Sequence, residues 1–134
     1  MRAKRSPLRF DDVIALVDTL PGAEVSTSYG TPALKVRGKL FARLWEDGVT
    51  LVLRVSDVVR AHLLQTDPAV FFLTDQYREH PWVLIRLAVI SEAQLQPLLV
   101  EAWRAVAPAT LRRAHEAPTG DLVPTTSTSR RKRL

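Results

Sequence analysis

Between residues 33 and 55 the chain reverses direction twice within tight turns, and this constrains the fold more than any other feature. Residues 33–37 alternate in polarity, Gly38 permits a reversal, residues 40–45 follow, and Glu46-Asp47-Gly48 supplies an Asp-Gly hairpin signal before residues 49–55. Parallel strands need a long crossover between them, so these three strands are expected to form an antiparallel meander. Around the meander the signals are helical. Phe10, Val13, Ile14, Val17 and Leu20 recur on one face at a period of 3.6, predicting a helix over 10–20 that Pro21-Gly22 stops. Tyr29-Gly30-Thr31-Pro32 reads as a turn-rich lead into the first strand.

After the meander, Ser56 is the expected N-cap of a helix over 57–66, with Val58, Val59, Leu63 and His62 facing inward, closed by Asp67-Pro68. Strands near 70–74 and 82–90 follow, joined by a polar stretch from Asp75 to Pro81. Ser91 with Gln94 forms a capping box for the last long helix, whose buried face is Leu95, Leu98, Leu99, Ala102, Trp103 and Val106. Pro97 should kink that helix or shift its start, and Pro108 should break it, leaving a further turn or two over 109–115. The order α-β(3)-α-β(2)-α predicts a two-layer α+β sandwich: a five-stranded antiparallel sheet with helices on one face. At 134 residues there is room for one such domain, placed at 8–115, between a basic arm (1–7) and a basic tail (116–134) expected to be flexible.

Composition narrows the chemistry. Cys is absent, which removes disulfides, thiolate metal sites and thiol nucleophiles and fits a cytoplasmic location. No apolar run is long enough for a bilayer, and Met1-Arg2-Ala3-Lys4-Arg5 leads into no apolar stretch of the secretory kind, so no membrane association is expected. The net charge of +5 is concentrated at the ends. Arg2, Lys4, Arg5 and Arg9 give the first nine residues +4; Arg130, Arg131, Lys132 and Arg133 against Glu116 and Asp121 give the tail +2; residues 10–115 carry −1. Such ends bind polyanions or simply keep a chain soluble.

Alternation then sorts the strand residues. Leu34, Val36, Leu40, Ala42, Leu44, Val49, Leu51, Leu53, Val55, Val83, Ile85, Leu87 and Val89 form an apolar set expected under the helices. The opposite phase holds Lys35, Arg37, Phe41, Arg43, Trp45, Thr50, Val52, Arg54, Trp82, Leu84 and Arg86, a set with basic and aromatic residues and no acid. One reading is a platform for nucleic acid, in which Phe41, Trp45 and Trp82 offer stacking worth ~1–3 kcal/mol per base and the cations neutralise phosphates. Another is a docking surface for a protein, and a third is ordinary packing of Arg stems and Trp rings on a sheet. The turn Lys35-Val36-Arg37-Gly38-Lys39 would project as a basic wing, or protect a sheet edge.

Catalytic and metal signatures are missing. His62, His80 and His115 lie far apart with no ligand spacing, and no GxSxG, P-loop or GxGxxG is present, so neither an enzyme, a metal nor a cofactor is expected. Asp11, Asp12 and Asp18 favour a helix N-terminus without implying a cation. Tyr29, Tyr77 and His80 are candidate edges of a small-ligand pocket.

Several segments, taken in order, resemble the MmcQ/YjbR family over about residues 8–113. They are Leu20-Pro21-Gly22, Tyr29-Gly30-Thr31-Pro32-Ala33-Leu34-Lys35-Val36, Gly38-Lys39-Leu40-Phe41-Ala42, Asp67-Pro68, Tyr77 with His80-Pro81-Trp82, and Ala102-Trp103-Arg104 with Ala107-Pro108. The resemblance implies the YjbR-like sandwich, similar in shape to frataxin (CyaY-like) and secretion-chaperone-like folds, and a DNA-binding role described for the family as a double wing, its biochemistry otherwise uncharacterised. One branch of the family has an Asn-Lys pair and a His-Trp step where this chain has Arg78-Glu79-His80-Pro81-Trp82. The frataxin likeness carries no iron site onto three acids. With the resemblance included, the expected function is non-enzymatic DNA binding by Lys35, Arg37, Lys39, Phe41, Arg43, Trp45, Arg54, Trp82 and Arg86. The alternatives are a protein-docking or chaperone-like module on the same face, and a small-ligand site near Tyr29, Tyr77 and His80. The lack of a recognition helix rich in Arg, Asn or Gln argues against sequence-specific readout.

Overall fold

The computed structural model describes residues 7–28 and 30–120, with side chains to His115. Among these, the elements run α1 (Phe10–Leu16), β1 (Ala23–Ser28), β2 (Thr31–Val36), β3 (Lys39–Leu44), β4 (Thr50–Arg54), α2 (Asp57–Thr66), β5 (Phe71–Phe72), a 3-10 turn (Asp75–Tyr77), β6 (Trp82–Arg86), α3 (Glu92–Val106) and α4 (Ala109–Gly120). The sheet is antiparallel throughout, in the order β1-β2-β3-β4-β6-β5. The α+β sandwich expected from the sequence is present, with one strand more than expected. The addition, β1, pairs along its whole length with β2. As an edge strand of mostly polar residues (Glu24, Ser26, Thr27, Ser28), it has no apolar alternation to announce it.

The helical layer and the inner sheet face share one core. Val13 and Val17 from the first helical region, and Leu95, Leu99, Ala102 and Trp103 from α3, pack on Leu34, Val36, Ala42, Leu51, Leu53, Val83 and Ile85. Trp103 is fully buried, and its indole Nε1 donates to the Pro21 carbonyl at 2.8 Å, tying α3 to the loop after α1. Ser56 and Ser91 cap α2 and α3 as expected, their hydroxyls accepting from the N–H groups of Val59 and Gln94. The helix α3 runs through Pro97 to Val106. It ends because Ala107 takes an extended conformation (ψ 137°) before Pro108, whose ring disfavours a helical predecessor.

Three placements differ from expectation. α2 buries no residue: Val58 is 80% exposed, Val59 38%, and His62 is exposed. Val49, just before β4, and Val89, just after β6, were expected under the helices and are exposed. Phe41, expected on the outer face, is fully buried in the main core. Its physical reason is a β-bulge. Leu34 pairs with Ala42 and Lys35 with Leu40, so Phe41 opposes no β2 residue and the side-chain phase of β3 slips at that point. Leu40 accordingly shares a face with Lys35 and is only half-buried.

The turn between β3 and β4 is held by Asp47, whose Oδ1 accepts from the N–H groups of Val49 and Thr50 (both 3.0 Å) and whose Oδ2 accepts from Thr50 Oγ1 at 2.6 Å. Burial alone would raise this carboxyl's pKa, but those hydrogen bonds outweigh it and hold the group below the ordinary carboxylate value.

Two outcomes follow. Phe41→Ala should cost about 3–5 kcal/mol in urea unfolding, as for a core aromatic, whereas a loss under about 0.5 kcal/mol would put the ring back on a surface. Because Asp47 has its pKa depressed by folding, its contribution is present at neutral pH and is lost as pH falls below about 4. The stability of Asp47→Asn should therefore depend less on pH over that acid range than that of the wild-type chain, and parallel profiles would contradict this.

Candidate nucleic-acid interface

The outer face of the sheet was expected to be open. It is closed at its centre. The pairing register lines up Ala33, Arg43, Val52, Leu84 and Phe72 in one row across five strands. Val52, Leu84 and Tyr77 form a second buried cluster, joined by Trp45, Phe72, Leu73 and Trp82. The segment from Leu73 to Pro81 supplies the cover, with the 3-10 turn placing Tyr77 over the row.

Arg43 sits beneath it, 2% exposed. Its Nη2 donates to the Tyr77 hydroxyl at 2.6 Å and to Glu46 Oε2 at 3.3 Å, while Nη1 donates to Thr31 Oγ1 at 3.0 Å and the Leu44 carbonyl at 3.3 Å. A buried guanidinium is costly unless its donors are met, and here they are met from four residues. The covering loop is in turn clamped by Arg60 of α2. Its guanidinium donates to the carbonyls of Tyr77 (3.3 Å), Arg78 (3.2 Å), Trp82 (3.3 Å) and His80.

The expected contact residues thus divide. Phe41 and Arg43 are buried and present nothing to a ligand. Trp45 is half-buried and edge-on to Phe72 at 6.4 Å; Trp82 is half-buried with the Arg54 guanidinium 5.9 Å from its ring centroid. Arg86 lies 4.2 Å over Phe72 and donates to the carbonyls of Pro68 and Ala69. Of the small-ligand candidates, Tyr29 lies outside the described residues, Tyr77 is consumed in closing the face, and His80 is exposed on the loop.

Arg86 stays exposed, and so does the basic turn, with Arg37 and Lys39 exposed and Lys35 half-buried. Arg37 (φ 50°) and Gly38 (φ 82°) both adopt left-handed backbone, the signature of a two-residue type I′ turn, so the tip follows the sheet twist and stands out from its end. The register sets what lies beside it. Val36 and Lys39 close β2 and β3 at the end of the sheet where Arg54 pairs with Trp82. The helix α4 packs against the same end: a Cβ built on Gly22 would stand 2.6 Å from Leu111 Cδ1 and 3.5 Å from Val36 Cγ1. Next to Leu111, Arg112 lines a cleft of about 610 Å³ with Arg54, Arg104, Glu101, Val55, Val59 and Leu98. That cleft was not foreseen, since its walls come from two stretches far apart in sequence, β4 with α2 and α3 with α4. Pro81 is its one wall residue from the loop over 73–81.

Among the described residues no group of three or more His, Cys, Asp or Glu side chains is placed to hold a metal ion, and no helix is long and apolar enough to cross a membrane.

A family model described as YjbR matches residues 18–105. Over 68 residues the chain is 41% identical to proteins named "Uncharacterized protein Rv2570" and "Uncharacterized protein MT2646" of Mycobacterium tuberculosis, and to "Uncharacterized protein Mb2600" of Mycobacterium bovis. These matches cover 50% of this chain and 53% of each relative, so the chain spans about half the length of the curated relatives it matches. Its fold is similar to the crystal structure of Deinococcus radiodurans protein DR2400, with a DUF419 domain, at a TM-score of 0.67 and 20% identity, covering 86% of this chain and 94% of that one. A likeness at that identity speaks for the fold alone.

Removing the Tyr77 hydroxyl leaves a buried donor of Arg43 unmet, so Tyr77→Phe should cost about 1–3 kcal/mol, against less than about 0.5 kcal/mol for Lys39→Gln at the exposed tip. Equal effects in chemical denaturation would contradict the division between a closed face and an exposed turn.

Proposed function

The chain belongs to the YjbR family, and on that premise we propose that it is a non-enzymatic nucleic-acid-binding module that works with the end of its sheet and not with the face. The single observation behind this reading is the strand register, which brings the Lys35–Lys39 turn to the end occupied by Arg54 and flanked by Arg112 of α4. A narrow turn with cations at its tip fits a nucleic-acid groove or tracks a phosphate backbone, and such contacts position without reading sequence. Trp82, half-buried beneath Arg54, is the aromatic nearest to this end and supports limited stacking on an unpaired base. Acids at this end (Glu24 opposite Lys35, and Glu101 beside Arg104) temper the field, so modest affinity with steep salt dependence is expected. A protein-docking reading of the outer face meets the same cover that closes it to nucleic acid.

The test is a salt series with fluorescent single- and double-stranded DNA on the full chain and on its Arg37→Gln/Lys39→Gln variant. Two lost phosphate contacts should lower the slope of log affinity against log salt by about 1.4 to 1.8, with the unfolding midpoint unchanged. Identical slopes would remove the turn from the interface and leave any binding to the basic ends of the chain.

A further inference from the structure

We propose that the 610 Å³ cleft between α2, α3 and α4 is a binding site for a small amphipathic anion: an apolar chain or ring system ending in a carboxylate or comparable acidic group. The volume falls within the range of small-molecule sites, and the lining divides as such sites do, into an apolar floor and a few charged groups. Val55, Val59 and Leu98 form the floor. Val59 belongs to a helix that buries no residue at all, and it is left 38% exposed on the cleft side of that helix. That side chain adds apolar surface to the floor of the cleft.

The rim is cationic. Arg54, Arg104 and Arg112 line it with Glu101, and each arginine is held in place from within the protein. The Arg54 guanidinium lies over Trp82, Arg104 pairs with Glu101 at 3.9 Å, and Arg112 donates to the Ala107 carbonyl that closes α3. Side chains already ordered lose little freedom on binding, and a guanidinium suits a carboxylate in two-point geometry. Arg54 and Arg112, which pair with no acid among the described residues, select over this apolar floor an anion with a hydrophobic body in preference to a neutral or cationic one. The basic turn has no such floor, which sets this site apart from the nucleic-acid reading.

The experiment uses the full chain and decanoate below its micelle-forming concentration, followed by calorimetry and by tryptophan fluorescence, since Trp82 lies under Arg54. Decanoate should saturate one site per chain, decanol should bind at least about tenfold more weakly for want of the charge-assisted hydrogen bonds, and decyltrimethylammonium should not saturate. Ala105 is exposed and lines the cleft on α3, where Glu and Gln are both good helix formers. Ala105→Glu should weaken decanoate by about tenfold or more while Ala105→Gln stays near wild type, both with unchanged unfolding midpoints. The Arg37→Gln/Lys39→Gln variant should bind decanoate as the wild type does, which separates the cleft from the basic turn although Arg54 and Arg112 border both. Equal binding of decanoate and decanol, equal behaviour of the two Ala105 variants, or no saturable decanoate binding would each overturn the proposal.

Discussion

A charged guanidinium under a sheet has to be met on every side, and the way Arg43 is met determines what the outer face becomes. Its donors reach Thr31, Leu44, Glu46 and Tyr77, so it joins β2, the end of β3 and the loop after β5 in one polar knot. The knot brings Tyr77 down onto Val52 and Leu84, and Arg60 fixes the loop from behind by gathering three of its carbonyls and that of Trp82 at the start of β6. Two arginines of the kind that reads as a binding surface are thereby spent on structure. Removing either partner would strand the other in a poorly solvated site, which makes such a knot expensive to break once formed.

Much of the architecture is legible in the residues because the signals are local. Gly38 and Asp47-Gly48 announce the reversals, Ser56 and Ser91 announce helix starts, and Pro108 announces the stop after α3. What escapes is non-local or featureless. Strand β1 is polar at an edge, so no alternation marks it, although residues 29–30 between Ser, Thr and Pro are consistent with a hairpin turn. The bulge at Phe41 has no glycine to betray it, and one unpaired residue inverts the expected roles of Leu40 and Phe41. The closing of the outer face rests on a contact between residues 34 apart in sequence. Its one local trace is the apolar runs Leu51-Val52-Leu53 and Trp82-Val83-Leu84-Ile85, which suit strands buried on both faces better than a half-exposed sheet.

The candidate site was legible in part for the same reason. Three cations beside one turn need only a hairpin to share a place, and Lys35, Arg37 and Lys39 are where alternation and turn chemistry put them. Joining them to Arg54 and Arg112 requires strand order and the packing of α4 against Gly22, neither of which periodicity contains. The chemistry of the molecule consequently moves from the middle of the sheet to one end of it, where a convex basic turn and a concave, arginine-rimmed cleft both adjoin α4. Convex cations suit an extended polyanion, and a cleft with an apolar floor suits a small amphipathic anion.

Amide chemical-shift mapping of the full chain with a short single-stranded oligonucleotide tests the central claim most directly. If function sits at the end of the sheet, the largest changes fall on the Lys35–Lys39 turn, Arg54 and Arg112, with Thr31, Trp45 and Thr50 at the other end unmoved. Changes centred on Trp45, Phe72 and Arg86, or confined to residues before 7 and after 120, would contradict it.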